Sequence, residues 1–287
     1  MDLQTLQFFC AAATEGSLTK AAQKLNYAQS NLSTRMHALE EELGVTLFQR
    51  GAGGSRLTPK GEVLFSYAQR ILKLADETAS AVQDEGTAQG TLLLGSMESS
   101  ALSLLPSLLK AYHQQFPQVK TIIKTMPSHQ AIQAVLDYQL DAAIIGGEVH
   151  DPELTCLPLT HERLVLLSAQ DEPMEALLRK SLVVFQQGCS YRQRLEQIQT
   201  KYGVVSEGIM ELNSLGAILA SVIAGLGVSL FPASTLASLQ ESRYLTVTEL
   251  PFDLADIAVC LIYRKNGYLP AALREAAACF QREVKNI

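Results

Sequence analysis

One short stretch carries Gln29, Ser30, Ser33, Thr34 and Arg35 on a single helix side: small hydrogen-bond donors and acceptors plus a guanidinium. That is the chemistry needed to read base edges in a major groove and to touch the phosphates beside it. The other side places Leu32, Met36, Leu39 and Leu43 at spacings of four, three and four, which makes one apolar face. Upstream, Gly16-Ser17-Leu18-Thr19-Lys20-Ala21-Ala22-Gln23-Lys24-Leu25 predicts an Ala-rich helix that a second helix can approach closely. Asn26 and Tyr27 predict a tight turn between the two. Together they read as a helix-turn-helix, with Ser17 and Thr19 as further DNA contacts. An ordinary amphipathic helical pair with a solvated polar face has the same periodicity, so the neighbouring segments must decide.

Phe48-Gln49-Arg50 runs into Gly51-Ala52-Gly53-Gly54 and then Ser55-Arg56-Leu57-Thr58. This predicts a hairpin wing with Arg50 and Arg56 near its stems, within reach of phosphates or a narrow minor groove. Thr58-Pro59 predicts a helix start, with Thr58 as the cap and Pro59 in the first helical position. Leu64, Ala68, Ile71, Ala75, Thr78 and Val82 then alternate spacings of four and three, the period of a coiled-coil seam. Pairing with a second copy is the expectation; folding back onto its own domain is the alternative. Gly86-Thr87-Ala88-Gln89-Gly90 breaks the pattern and reads as a hinge.

Taken in order, Met1-Asp2-Leu3, Leu6, Phe9, Gly16-Ser17, Ala21-Ala22, Leu25, Gln29-Ser30, Leu32-Ser33, Leu39-Glu40, Leu43-Gly44, Leu47-Phe48, Arg50, Leu57-Thr58 and Gly61 resemble the LysR-type bacterial transcriptional regulators. The resemblance is dense to about residue 65 and looser beyond, mainly Gly225-Leu226-Gly227-Val228 and Pro232. It implies an α/β chain with an N-terminal winged helix-turn-helix, a long linker helix and a C-terminal bilobed effector domain like that of periplasmic binding proteins. It also implies double-stranded operator DNA, a small-molecule effector and RNA polymerase as partners, and a homodimer assembling into a homotetramer. Many members carry Arg where this chain has Thr34, and Arg35 follows one position later. One residue turns a helical side chain by about 100°, so Arg35 is expected on a phosphate instead of a base.

The expected domains are residues 1–58 for DNA binding, 59–90 for linker and hinge, and 91–287 for the effector. In the last, strands at Thr91–Gly95, Val119–Thr125 and Ala142–Ile145 alternate with helices at Leu102–Gln115 and Gln130–Tyr138, predicting a parallel sheet with helices on its faces. A second cycle starts near Arg163–Ser168 and passes through Leu182–Phe185, Gly208–Leu212 and Val228–Phe231. A strand at Ile257–Tyr263 and a helix at Pro270–Val284 close the chain. The first lobe is placed at about 91–161 and 267–287, the second at about 162–266. Ligand is expected in the cleft between them. Ser96, Ser99 and Ser100 follow the first strand, Ser128 and His129 the second, and Ser190 and Arg192 open a helix of the second lobe. Asn213 and Phe231 complete the expected lining. Ser190 is expected as a cap and Arg192 as a clamp for a carboxylate or phosphate, which suggests a small anionic or polar metabolite.

Composition agrees with a globular regulator. The chain has 287 residues and 47% hydrophobic content, enough for two or three modules. No apolar run approaches the ~20 residues of a membrane span, and no export signal is evident, so a bacterial cytoplasmic location is expected. Net charge is −6, yet residues 1–60 hold six Lys/Arg against five Asp/Glu. The five cysteines form no zinc pattern and offer no close pair in sequence. Cys189 reads as an exposed loop thiol and a candidate sensor. No phosphate-binding, dinucleotide or nucleophile-elbow motif is present, so no catalysis, cofactor or metal is expected. The alternatives are a solute-binding protein without a DNA role and a ligand-independent DNA-binding protein.

Overall fold

The computed structural model describes residues 1–51, 54–83, 86–237 and 239–285. Two compact units divide the chain: Met1–Asp84 with Asp137–Gln139, and Glu85–Leu136 with Leu140–Ile287.

The first unit opens with α1 (Leu3–Glu15), capped where the Asp2 carboxylate accepts from Thr5 N at 2.7 Å. Gly16, in the left-handed region, ends it. Ser17 caps α2 (Leu18–Lys24), and Asn26 takes the positive φ of the turn into α3 (Gln29–Leu43). The apolar face read from the sequence is the core face: Leu32, Met36 and Leu39 pack with Leu6, Phe8 and Phe9, while Ala21 and Ala22 give α2 its close approach. Leu43, the last member of that face, is exposed.

Next come β1 (Phe48–Gly51) and β2 (Gly54–Leu57), an antiparallel hairpin pairing Phe48 with Leu57. Ala52 and Gly53 of its turn lie outside the described residues, as does the side chain of Arg50. Ser55 N donates to Gly16 O at 2.9 Å and ties the hairpin to the α1–α2 turn. α4 (Pro59–Gln83) begins as read, with Gly61 N donating to Thr58 Oγ1 at 3.0 Å. A Cβ on Gly61 would stand 2.2 Å from Leu47 O, so the helix can cross the strand entrance only with glycine there. The seam of α4 is divided. Leu64 and Ala68 pack inward against the unit's own core, whereas Ile71 and Val82 are exposed, as are Val63, Tyr67 and Leu74 beside them.

The second unit runs β3 (Gly90–Ser96), α5 (Glu98–Ser103), α6 (Leu105–Gln115), β4 (Val119–Thr125), α7 (Ser128–Leu136), β5 (Ala142–Gly146) and the long β6 (Leu154–Ser168). Then follow α8 (Met174–Arg179), β7 (Leu182–Val184), α9 (Ser190–Tyr202), β8 (Ile209–Glu211), α10 (Leu215–Ile223) and β9 (Ser229–Pro232). The chain closes with α11 (Ala233–Ala237), β10 (Thr246–Glu249), α12 (Phe252–Ala255), β11 (Asp256–Arg264) and α13 (Ala271–Glu283). The single helix expected over Leu102–Gln115 is two, because Pro106 lies in the first turn of α6 and has no N–H to continue a ladder from α5.

The sheet is mixed where a parallel one was expected. β3 runs parallel to β4 and β5, but β11 is antiparallel to both β5 and β6. β11 was assigned to the second lobe on sequence; its pairing of Val259–Tyr263 with β5 puts it in the sheet of the first. β6 serves both lobes. It pairs with β11 up to Arg163 and, from Leu164, with β9 on one side, while β10 joins from Val165 on the other. Side chains alternate accordingly: Val259 and Leu261 enter one core and Ala258, Cys260 and Ile262 another. In the second lobe Leu164 and Leu166 face one core, Val165 and Leu167 the other.

Candidate DNA interface and ligand cavity

Of the nine residues expected at DNA, Thr19, Gln29, Ser30, Thr34 and Arg56 are exposed, and Ser17 and Ser33 are half-buried. The N-terminus of α3 carries no side-chain cap; Asn31 N donates to Ala28 O at 3.1 Å, and Gln29 and Ser30 stand at the open end. Ser17 is engaged in capping α2, and Thr34 Oγ1 donates to Ser30 O at 2.9 Å. Arg35 departs from the expectation of a phosphate contact. It turns inward, its guanidinium 5.5 Å from the Phe8 ring centroid, donating to Thr5 Oγ1 at 3.3 Å and 3.6 Å from Asp2. The one-residue shift relative to Thr34 explains this, since it rotates the side chain from the outer face towards α1. Glu40 also turns inward, accepting from Leu47 N at 2.7 Å and so holding the base of the hairpin.

Within the second unit a cavity of about 270 Å³ lies between the lobes. From the first lobe it is walled by Met97, Glu98, Ser99, Thr125, Met126 and Ser128. The second lobe contributes Phe185, Gln186, Cys189, Tyr191 and Asn213. Two hydrogen bonds cross beside it: Ser99 Oγ to Tyr191 Oη at 2.8 Å, and Leu215 N to Glu98 Oε2 at 3.1 Å. A third lobe-to-lobe bond runs from His129 N to Gly188 O at 3.3 Å.

Ser99, Ser128 and Asn213 therefore line this cavity as expected residues. His129 and Ser190 border a second space, of about 290 Å³, on the other side of Ser128. Ser96 and Ser100 are fully buried beneath the loop, Ser96 Oγ donating to Met97 O at 3.0 Å. Phe231 is buried behind the wall, edge-on to Phe185 at 5.9 Å. Arg192 does not clamp a ligand: its Nε donates to Glu196 at 2.9 Å and its Nη1 to Glu211 at 2.7 Å, closing α9 against β8. Ser190 is not the cap of α9; Cys189 holds that position, without a side-chain bond.

Sequence reasoning passed over Glu98, Thr125, Gln186, Tyr191 and Glu162. Tyr191 adjoins Ser190, and Thr125 ends a strand read correctly, so loop position alone carried that signal. Glu162 carried none. It sits on β6 where the strand leaves the first lobe, with Ser234 Oγ donating to its Oε1 at 3.0 Å. Burial pushes its carboxyl up, against the opposing pull of the Ser234 and Tyr191 hydroxyls. Burial also pushes the Tyr191 phenol well up, with Glu162 adding to it.

Cys260 and Cys279 are buried, as their apolar surroundings in sequence suggest, but Cys189 differs from its reading as an exposed thiol. Cys189 is buried, 7% exposed, because its loop folds under the cavity, and burial raises its thiol. Cys156 and Cys260, far apart in sequence, lie on neighbouring strands, and burial, with Cys156 adding to it, carries the Cys260 thiol to about 12.

Comparison with known proteins places these features in context. Residues 3–62 match the family described as bacterial regulatory helix-turn-helix protein, lysR family, and residues 85–285 match the LysR substrate binding domain. The chain is 37% identical over 287 residues to the HTH-type transcriptional regulator SoxR of Arthrobacter sp. (strain TE1826), covering 100% of this chain and 97% of that protein. It is 35% identical over 274 residues to the HTH-type transcriptional regulator YofA of Bacillus subtilis (strain 168), covering 96% of each. A full-length OxyR variant from Pseudomonas aeruginosa superposes with a TM-score of 0.74 at 26% identity, covering 98% of this chain and 95% of that one.

Proposed function

The chain belongs to the LysR family of DNA-binding transcriptional regulators, and on that premise we propose how it works. Residues 1–58 read one half of a two-part operator, with Gln29, Ser30, Ser33 and Thr34 at base edges and Ser17, Thr19, Arg50 and Arg56 on the backbone. Residues 59–90 pair with the same segment of a second copy through the exposed row Val63, Tyr67, Leu74 and Val82. Residues 91–287 bind a small effector and contribute the second contact of a homotetramer. The protein acts in the cytoplasm, and its occupancy alters DNA bending and contact with RNA polymerase.

One observation carries the regulatory part of this reading. The cavity takes its walls from both lobes and is bordered by the Ser99–Tyr191 and Glu98–Leu215 bonds between them. An occupant that binds one lobe arrangement better than another must shift the equilibrium between them. The test is a gel-shift titration of the full-length protein on DNA flanking its own gene, with competitor and at fixed salt. A discrete, competitor-resistant complex is expected. Absence of any complex, there and in a genome-wide pull-down, would overturn the DNA role in favour of solute binding alone.

A further inference from the structure

We propose that the inter-lobe cavity selects a small ligand with a protonated amine on an apolar body, in place of the carboxylate expected from the sequence. This rests on the cavity being the effector site. The expectation of an anionic or polar metabolite drew on the serines at the start of α5 and on Arg192; Ser96 and Ser100 are buried out of the cavity, and both Glu196 and Glu211 hold the guanidinium within the second lobe. Among the described residues lining the cavity, none is Lys, Arg or His, and Glu98 is the one side chain with a full charge. The two other titratable groups, Cys189 and Tyr191, stay neutral because burial raises both.

Gln130, Gln186 and Asn213 each offer an amide oxygen and an amide NH2, and Ser99 and Thr125 hydroxyls that donate or accept, so these groups adapt to either sign and the Glu98 carboxylate sets the charge preference. Helix amides near the cleft would favour an anion, but Leu215 N at the start of α10 is engaged by Glu98 and His129 N in the first turn of α7 by Gly188 O, and the uncapped start of α5 carries the Glu98 carboxylate in its own first turn. The remaining walls are Met97, Met126 and Phe185. An aromatic face and thioethers tolerate an ammonium and its hydrocarbon stem together. The volume, about 270 Å³, falls just below the ~300–1,000 Å³ common to small-molecule sites, so the ligand is small.

The experiment uses the full-length protein and three matched series on shared apolar bodies: benzylamine, phenethylamine, tyramine and isoamylamine; the corresponding carboxylates; and the corresponding alcohols. Thermal shift screens them and titration calorimetry measures binding. Amines are expected to bind, and Glu98→Gln, which keeps an acceptor for Leu215 N but removes the charge, to weaken them about tenfold or more while leaving the matched alcohols unaffected. Binding confined to carboxylates, or amine binding indifferent to Glu98→Gln, overturns the ligand class, as does the absence of any amine binder. Asn213→Trp, which fills the cavity from its rim, separates the two levels. Carboxylate binding that Asn213→Trp abolishes leaves the cavity as effector site while refuting the amine; binding that survives Asn213→Trp refutes the cavity itself.

Discussion

Arg35 lies over Phe8, 5.5 Å from the ring centroid, and so fastens the candidate recognition helix to α1 instead of facing solvent. Its expected role is to fix the angle of α3. Arg35→Ala should cost about 0.5–1 kcal/mol of stability, the scale of an exposed cation–π contact, because the side chain remains 35% exposed. The salt dependence of DNA binding should keep its slope. A slope lowered by about 0.9 would instead mean that Arg35 reaches a phosphate in the complex.

Gly61 and Gly227 are close-approach glycines. A Cβ would meet Leu47 O at 2.2 Å in the first and Ser181 O at 2.0 Å in the second, both rigid backbone atoms. Alanine at either position should destabilise by about 1–3 kcal/mol, the range for overpacking. Chemical denaturation checks this; a cost below a few tenths would show that the strands can separate freely.

Glu162 makes the effector unit sensitive to pH in a defined direction. Burial raises its carboxyl from the ordinary 4.5. A group raised on folding contributes its full stability below the unfolded value and loses it as pH climbs through the folded value. Glu162→Gln removes that loss. The variant should therefore melt higher than the parent near pH 8, with the difference shrinking as pH falls towards 4.5. A constant difference across that window would place the effect in packing.

Thiol chemistry supplies a fourth expectation. Cys189 and Cys260 are buried and their thiols raised. Iodoacetamide at neutral pH should leave both unmodified in the native protein and alkylate them in denaturant. Rapid native labelling of Cys189 would restore it as a sensor.

Local pattern was legible wherever one residue's neighbours in sequence are also its neighbours in space. The face Leu32, Met36 and Leu39, the hairpin around the glycines and the Thr58 cap depend on short-range geometry, and their residues alone specify them. The cavity is another matter. Ser99 and Tyr191 are 92 positions apart and meet only because β6 carries the chain from one lobe's sheet into the other. Arg192 and Arg35 look alike in sequence, as cations on polar helix faces. Which partner each takes is decided by Glu211 on a distant strand and by Phe8 on another helix, and no spacing rule reaches either. The mixed sheet was missed for the same reason: β11 inserts beside β5 after a return of more than one hundred residues.

β6 passes from one lobe's sheet to the other without a break, Arg163 pairing with Asp256 of β11 and Leu164 with Pro232 of β9. Its ladder is already irregular at Val259/Cys260 of β11, where Pro158, which has no amide proton, stands opposite. A strand held at both ends behaves as a torsion bar. Sliding the lobes past one another would rupture a ladder, whereas rotating them would only add twist to the strand where its pairing changes at Arg163 and Leu164. Any occupant of the cleft would then be read out as a change in winding angle between two otherwise rigid bodies.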